Sequence, residues 1–202
     1  MKFSPAGTVA ATDWAVNRPL DRRALLWHPA PMIIRPLDPA ADRQLLPGLA
    51  AMMVEAVAGG ASIGFMAGFD QAGSLAWWQG RLAAAAQGEV QILVALDDGG
   101  VAGTVSLVPA AMPNQPHRAD IAKMMVAGRA RGRGVGAALL AAAEARALAQ
   151  GRSTLVLDTI SGSVAARLYE RAGWEKVGDI PAYALMPDGA MAPTTVYTKR
   201  LI

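Results

Sequence analysis

Three arginines and four glycines interleave through one short stretch of this chain, GRARGRGVGA at 128–137. The glycines Gly128, Gly132, Gly134 and Gly136 let backbone approach a ligand closely. The free N–H groups of a helix beginning just beyond them point at that ligand and favour an anion. Arg129, Arg131 and Arg133 add positive charge at the same place. The chemistry this pattern serves is phosphate binding, and the commonest large phosphate ligands are nucleotide cofactors. The plainer reading of the arginines is a solvated basic turn. Glycines in register with them favour phosphate contact, although Gly134 and Gly136 also suit close helix–strand packing.

The flanking segments read as the elements that position this loop. ADIAKMMV at 119–126 sets Asp120, Ala122 and Met124 against Ile121, Lys123 and Met125 and closes on Val126, which predicts a strand. AALLAAAEARALAQ at 137–150 predicts a helix, and STLVLDT at 153–159 a short strand. SGSVAARLYERAGW at 161–174 predicts a helix capped by Ser163 and closed by Gly173. One β–α–β crossover results. Upstream, a strand opens at Met32. Asp38 and Asp42 bracket a helix start, after which Leu45, Leu46, Leu49, Met52, Met53 and Ala56 recur at helical spacing. Residues 60–74 read as a loop and 75–88 as a helix. In that helix the adjacent Trp77 and Trp78 point different ways, one into the core and one toward a pocket or interface. EVQILVAL and VAGTVSLV flank an Asp-Gly turn, a hairpin signal. EKVGDI, a Pro/Gly-rich loop and TTVYTKRL add two strands. Hairpin strands beside a single crossover imply a mixed sheet with helices on its faces.

The chain has 202 residues, 53% of them hydrophobic and 17% charged, which suits one globular domain. Residues 1–31, with Pro5, Pro19, Pro29 and Pro31 and no sustained period, read as a partly disordered N-terminal extension, and 32–202 as the domain. Without cysteine there are no disulfides or thiolate metal sites. His28 and His117 are far apart and read as surface or turn residues, so no metal is expected. A net charge of +3, without a basic stripe interleaved with aromatics, gives no expectation of nucleic acid. No segment is long and apolar enough to span a membrane, and the start lacks a signal-peptide layout, so the expected location is cytoplasmic.

Two readings compete for the glycine loop. Gly132 to Ala137 satisfies G-x-G-x-x-G/A, and Asp158 ends the following strand as a dinucleotide fold would want. Against this, five residues intervene between Val126 and Gly132, and only one βαβ unit is present. A P-loop is excluded because no Gly-Lys-Ser/Thr follows. The other reading is acyl-CoA. Arg131, Gly132, Arg133, Gly134, Val135, Gly136 and Ala137 fit R-x-x-G-x-G/A, and Leu168, Tyr169, Gly173 and Trp174 fit L-Y-x-x-x-G-[FW].

Together these motifs resemble the GNAT acetyltransferase superfamily, from Met32 to Leu201. GASIGFM at 60–66, Trp77-Trp78, VLDT at 156–159 and IPAYALMPDGAM at 180–191 also look like the tabtoxin-resistance acetyltransferase and its bacterial relatives. The resemblance implies an α+β, three-layer α/β/α sandwich around a mixed, mostly antiparallel sheet. It implies acetyl-CoA as co-substrate. The bulged backbone at Met124, Met125 and Val126 would hold the thioester and pantetheine, and Arg131–Ala137 the pyrophosphate. Ser163, where many members carry Asn, would be a further contact. It implies Asp158 as base or ammonium-binding group and Tyr169 as acid. Their plainer readings are a strand-end residue and a half-buried aromatic. The expected function is N-acetyl transfer to a small-molecule amine: a toxin, an antibiotic or an amino-acid-like metabolite. A peptide or protein N-acetyltransferase and a non-catalytic acyl-CoA sensor on the same fold remain alternatives. The resemblance also leaves a homodimer open.

Overall fold

The computed structural model describes residues 32–201. The extension at 1–31, His28 within it, and residue 202 lie outside the described residues. The strands are β1 (Ile33–Pro36), β2 (Gln91–Asp97), β3 (Gly100–Pro109), β4 (Arg118–Val126), β5 (Thr154–Ile160), β6 (Glu175–Leu185) and β7 (Met191–Arg200), of which β2 and β3 are near-continuous apolar runs buried on both faces. The helices are α1 (Leu46–Ala58), α2 (Gln71–Ala86), α3 (Val135–Ala149) and α4 (Val164–Arg171). The strands form one sheet in the order β1-β2-β3-β4-β5-β7-β6. Every neighbouring pair is antiparallel except β4 with β5, the pair joined by the α3 crossover.

Helices α1 and α2 cover one face of the sheet around Leu49, Met53, Trp78, Ile92 and Val94. On the opposite face α3 and α4 pack around Leu107, Leu139, Leu140, Leu155, Tyr169 and Tyr197. These are the three layers of the expected α+β sandwich. Among the described residues, no helix is long and apolar enough to cross a membrane.

Four local features differ from the sequence reading. Helix α2 begins at Gln71, inside the stretch read as loop, because the Asp70 carboxylate accepts the Gly73 N–H at 2.8 Å and caps it. Asp42 caps nothing; its carboxylate takes the Arg35 guanidinium and the Asp38 N–H instead. Strand β6 runs through the segment read as a Pro/Gly-rich loop, leaving only 186–190 as a turn. Pro181 is tolerated there because β6 is an edge strand, and a register shift between Ile180 and Ala184 absorbs the irregularity.

The fourth difference is the break in alternation along β4, at the bulge that the family resemblance implied there. Pairing Thr104 with Met125 and Ser106 with Ala122 sets an extra β4 residue against β3, a β-bulge. Lys123 sits in it at φ 48°, in the left-handed region. The expected strict alternation of Asp120, Ala122 and Met124 therefore breaks. Ala119 and Ile121 face the α3 side, and after the bulge so do Met124 and Val126, while Met125 and Ala127 face α1.

Candidate active site

The β4–β5 ladder is short. Its pairs are Arg118 with Thr154, Ala119 with Leu155, and Asp120 with Val156, and there it stops although both strands continue. Beyond that point β4 bulges and a wedge opens between the strands. In a continued ladder every second backbone group of β4 would meet β5; here those groups face the wedge. Met124 and Val126 are half-buried at its edge. The Met125 side chain is buried in the α1–α2 core, so only its backbone is available.

Asp158 lies on β5 just past the last paired residue. Leu155 and Leu157 point into the α3–α4 core, so alternation turns Asp158 to the α1–α2 side, where it is exposed. The one proton of the Thr194 hydroxyl is shared between the Thr159 carbonyl at 2.8 Å and Asp158 Oδ2 at 3.1 Å. Tyr169 comes from the other face. It sits on α4 in the α3–α4 core, with its ring 5.9 Å from Trp174 and 6.1 Å from Tyr197. Burial, and then the Asp158 carboxylate, push its hydroxyl up to about 12. Ser163 stands at the N-cap of α4, where its hydroxyl accepts the Ala166 N–H at 3.1 Å.

The arginine loop is pinned by residues that the sequence did not single out. Arg129 and Arg133 both reach Asp97 at the end of β2, at 2.6 and 3.0 Å. Those guanidiniums, Arg129 foremost, hold the Asp97 carboxyl below the usual carboxylate range against the opposing effect of burial. Glu55 of α1 accepts the Gly128 N–H at 3.0 Å. Arg131 donates one N–H to the Val126 carbonyl at 3.2 Å. Gly134 adopts φ 78° at the N-cap of α3, without a side-chain cap. The N–H groups of Val135, Gly136 and Ala137 belong to the first helical turn and find no acceptor among the described residues. A Cβ on Gly136 would meet Leu168 at 3.2 Å, so this glycine serves packing of α3 against α4.

The α1–α2 loop walls the wedge on the Asp158 side. Phe65 stacks on Phe69 with ring centroids 4.0 Å apart and meets Trp77 edge-on at 5.8 Å. Trp78 is the core member of the tryptophan pair. The Ala67 N–H donates to the Pro187 carbonyl at 2.9 Å, tying this loop to the β6–β7 turn. Ser62 Oγ donates to the Leu185 carbonyl at 3.3 Å. Two segments with shared sequence likeness, 60–66 and 180–191, thus lie side by side.

Residues 88–176 match the family model described as the acetyltransferase (GNAT) domain. That span holds the arginine loop, the wedge, Asp158 and Tyr169. Solved structures share the architecture. One is yncA from Salmonella typhimurium, solved with its cofactor acetyl-CoA. It is 22% identical, with 85% of this chain and 94% of that chain covered and a TM-score of 0.67. A ribosomal-protein-alanine N-acetyltransferase from Brucella melitensis is 24% identical over 83% of this chain and 99% of that one, with a TM-score of 0.68. An N-acetyltransferase from Staphylococcus aureus is 19% identical over 86% and 100%, with a TM-score of 0.67. The chain has the GNAT fold. The domain match and the structural neighbours together support an N-acetyltransferase.

Proposed function

We propose that this chain transfers the acetyl group of acetyl-CoA to the amine of a small molecule, on the pattern of the tabtoxin-resistance acetyltransferase and its relatives. The carrying observation is the end of β4–β5 pairing at Asp120 and Val156, with Asp158 on one face of the opening and Tyr169 on the other. The residues present suit acetyl-CoA. The open N–H groups of Val135, Gly136 and Ala137, with Arg131 beside them, make a cradle for pyrophosphate. Arg133 serves the cradle while its ion pair with Asp97 fixes the loop. The β4 backbone at Met124, Met125 and Val126 lines the wedge for the pantetheine arm and thioester, and Ser163 adds a hydroxyl at the start of α4.

Acetyl-CoA supplies an acyl group activated as a thioester. The chain does the rest. Asp158 faces the acceptor side, attracts the incoming ammonium and takes its proton. The β4 N–H groups in the wedge stabilise negative charge developing on the acyl oxygen. Tyr169 holds its proton toward the departing sulfur. With its hydroxyl pushed up to about 12, full transfer to a thiol-type sulfur with a pKa near 8.5 is uphill by about 5 kcal/mol. Tyr169 therefore acts by donating a hydrogen bond, not by giving up its proton for long.

A screen of small amines with acetyl-CoA, read as free CoA thiol, tests the proposal. Thiol release above the amine-free rate supports it. Tight acetyl-CoA binding without release for any amine points to the non-catalytic sensor, and release only with peptide N-termini to the protein-modifying alternative.

A further inference from the structure

Lys123 is used neither by the arginine loop nor by the Asp158–Tyr169 pair. It occupies the β4 bulge in a left-handed conformation that a lysine adopts only at a cost in free energy. That conformation sends its side chain to the acceptor face. Its Nζ donates to the Ile63 carbonyl at 2.7 Å and lies 5.8 Å from the Phe65 ring centroid and 5.9 Å from that of Trp77. Arg81 lies against the same tryptophan, at 5.7 Å. Two cations thus flank Trp77, both partly buried, and neither has a carboxylate within ion-pair distance among the described residues. Burial, followed by Arg81, pushes the Lys123 pKa down, and Asp158 pulls it back up. A strained, half-desolvated cation with no carboxylate in direct contact is costly, and an anionic ligand relieves that cost. Phe65 and Trp77 supply an apolar wall for whatever separates the anion from the rest of the ligand.

We propose that Lys123, with Arg81 beside it, takes a carboxylate of the acceptor, so that the acceptor is an amino-acid-like zwitterion whose ammonium faces Asp158. This rests on the acetyltransferase reading above and narrows its acceptor class. Lys123 is then a specificity residue, and the β-bulge is what aims it.

The test compares each common amino acid with its carboxamide, which keeps the amine and removes the negative charge. Full-length protein is assayed with acetyl-CoA for thiol release, in the parent and in Lys123→Met, which keeps the length of the stem without the charge. The ratio of kcat/KM within each pair is the readout, and it cancels any general loss of fold or cofactor affinity. The inference expects the parent to prefer the best amino acid over its amide by at least 10-fold, and Lys123→Met to bring that ratio close to one. Equal use of acid and amide by the parent, or a preference that survives in Lys123→Met, overturns it. If no amine is turned over, the acetyltransferase reading fails on its own account. Lys123 is then judged by calorimetry of the same pairs with CoA present. Tighter binding of acid than amide, lost in Lys123→Met, upholds the carboxylate site. No such difference removes it.

Discussion

Asp158 and Tyr169 point to opposite faces of the sheet, yet the carboxylate of one adds to burial in raising the hydroxyl pKa of the other. The wedge between β4 and β5 lets the two communicate. A Tyr169→Phe variant keeps the ring and its packing on Trp174 and Tyr197. We expect kcat to fall by roughly 10²-fold with acetyl-CoA affinity little changed. Because the hydroxyl ionises only near 12, the parent should show no alkaline loss of kcat from this residue below about pH 11. Full activity in Tyr169→Phe would reduce the residue to packing.

Asp158→Asn removes the charge that meets the ammonium while keeping an acceptor for Thr194 Oγ1. The loss should appear in amine kcat/KM, by roughly 10²-fold or more, with melting temperature nearly unchanged because the carboxylate is exposed. Unchanged amine kinetics would move the base elsewhere, to water or solvent.

Gly134 has φ 78°, which among other residues Asp and Asn tolerate best. Gly134→Asn and Gly134→Asp therefore carry similar backbone strain, and only the second places negative charge at the cradle. Calorimetry should show acetyl-CoA affinity much weaker in Gly134→Asp than in Gly134→Asn. Equal affinities would mean that the pyrophosphate does not sit at this helix start.

Asp97 ties Arg129 and Arg133 together, and its folded-state pKa lies below the unfolded value. Its stabilising contribution is then complete above the unfolded value of about 4 and disappears as pH falls through the lowered one. Both guanidiniums are a third or more exposed, so screening keeps the contribution to about 1 kcal/mol. The melting temperature of Asp97→Asn should fall below that of the parent at pH 7, and the gap should close in strong acid. A gap independent of pH would show that shape, not charge, matters there.

Residues 32–202 are proposed to form the folding unit. A chain starting at Met32 should melt within a few degrees of the full protein and keep its amine acetylation. A large drop in melting temperature would place 1–31 in the core.

Much of this architecture was legible because it depends on local signals. The arginine–glycine loop, the crossover helix after it, Ser163 as a cap and Gly173 as a stop are each set within a few residues of chain. What was not legible depends on pairing across the sheet. The bulge in β4 followed only from the family resemblance; its place at Lys123 is one surplus residue relative to β3, which alternation along a single strand does not reveal. Asp97 reads as part of a hairpin turn until the loop from 128 to 133 folds over it. Thr194 reads as an ordinary strand threonine until β7 pairs with β5 beside Asp158. Pro181 suggested a loop because only the sheet order shows that its strand lies at an edge.

The Ala67–Pro187 and Ser62–Leu185 hydrogen bonds join two stretches of chain more than a hundred residues apart into one surface. Neither stretch is then an independent module for engineering. Grafting the 60–69 segment of a relative with a different acceptor would import half a wall and leave the 185–188 carbonyls facing a foreign backbone. A transplant meant to redirect this protein has to move both segments together.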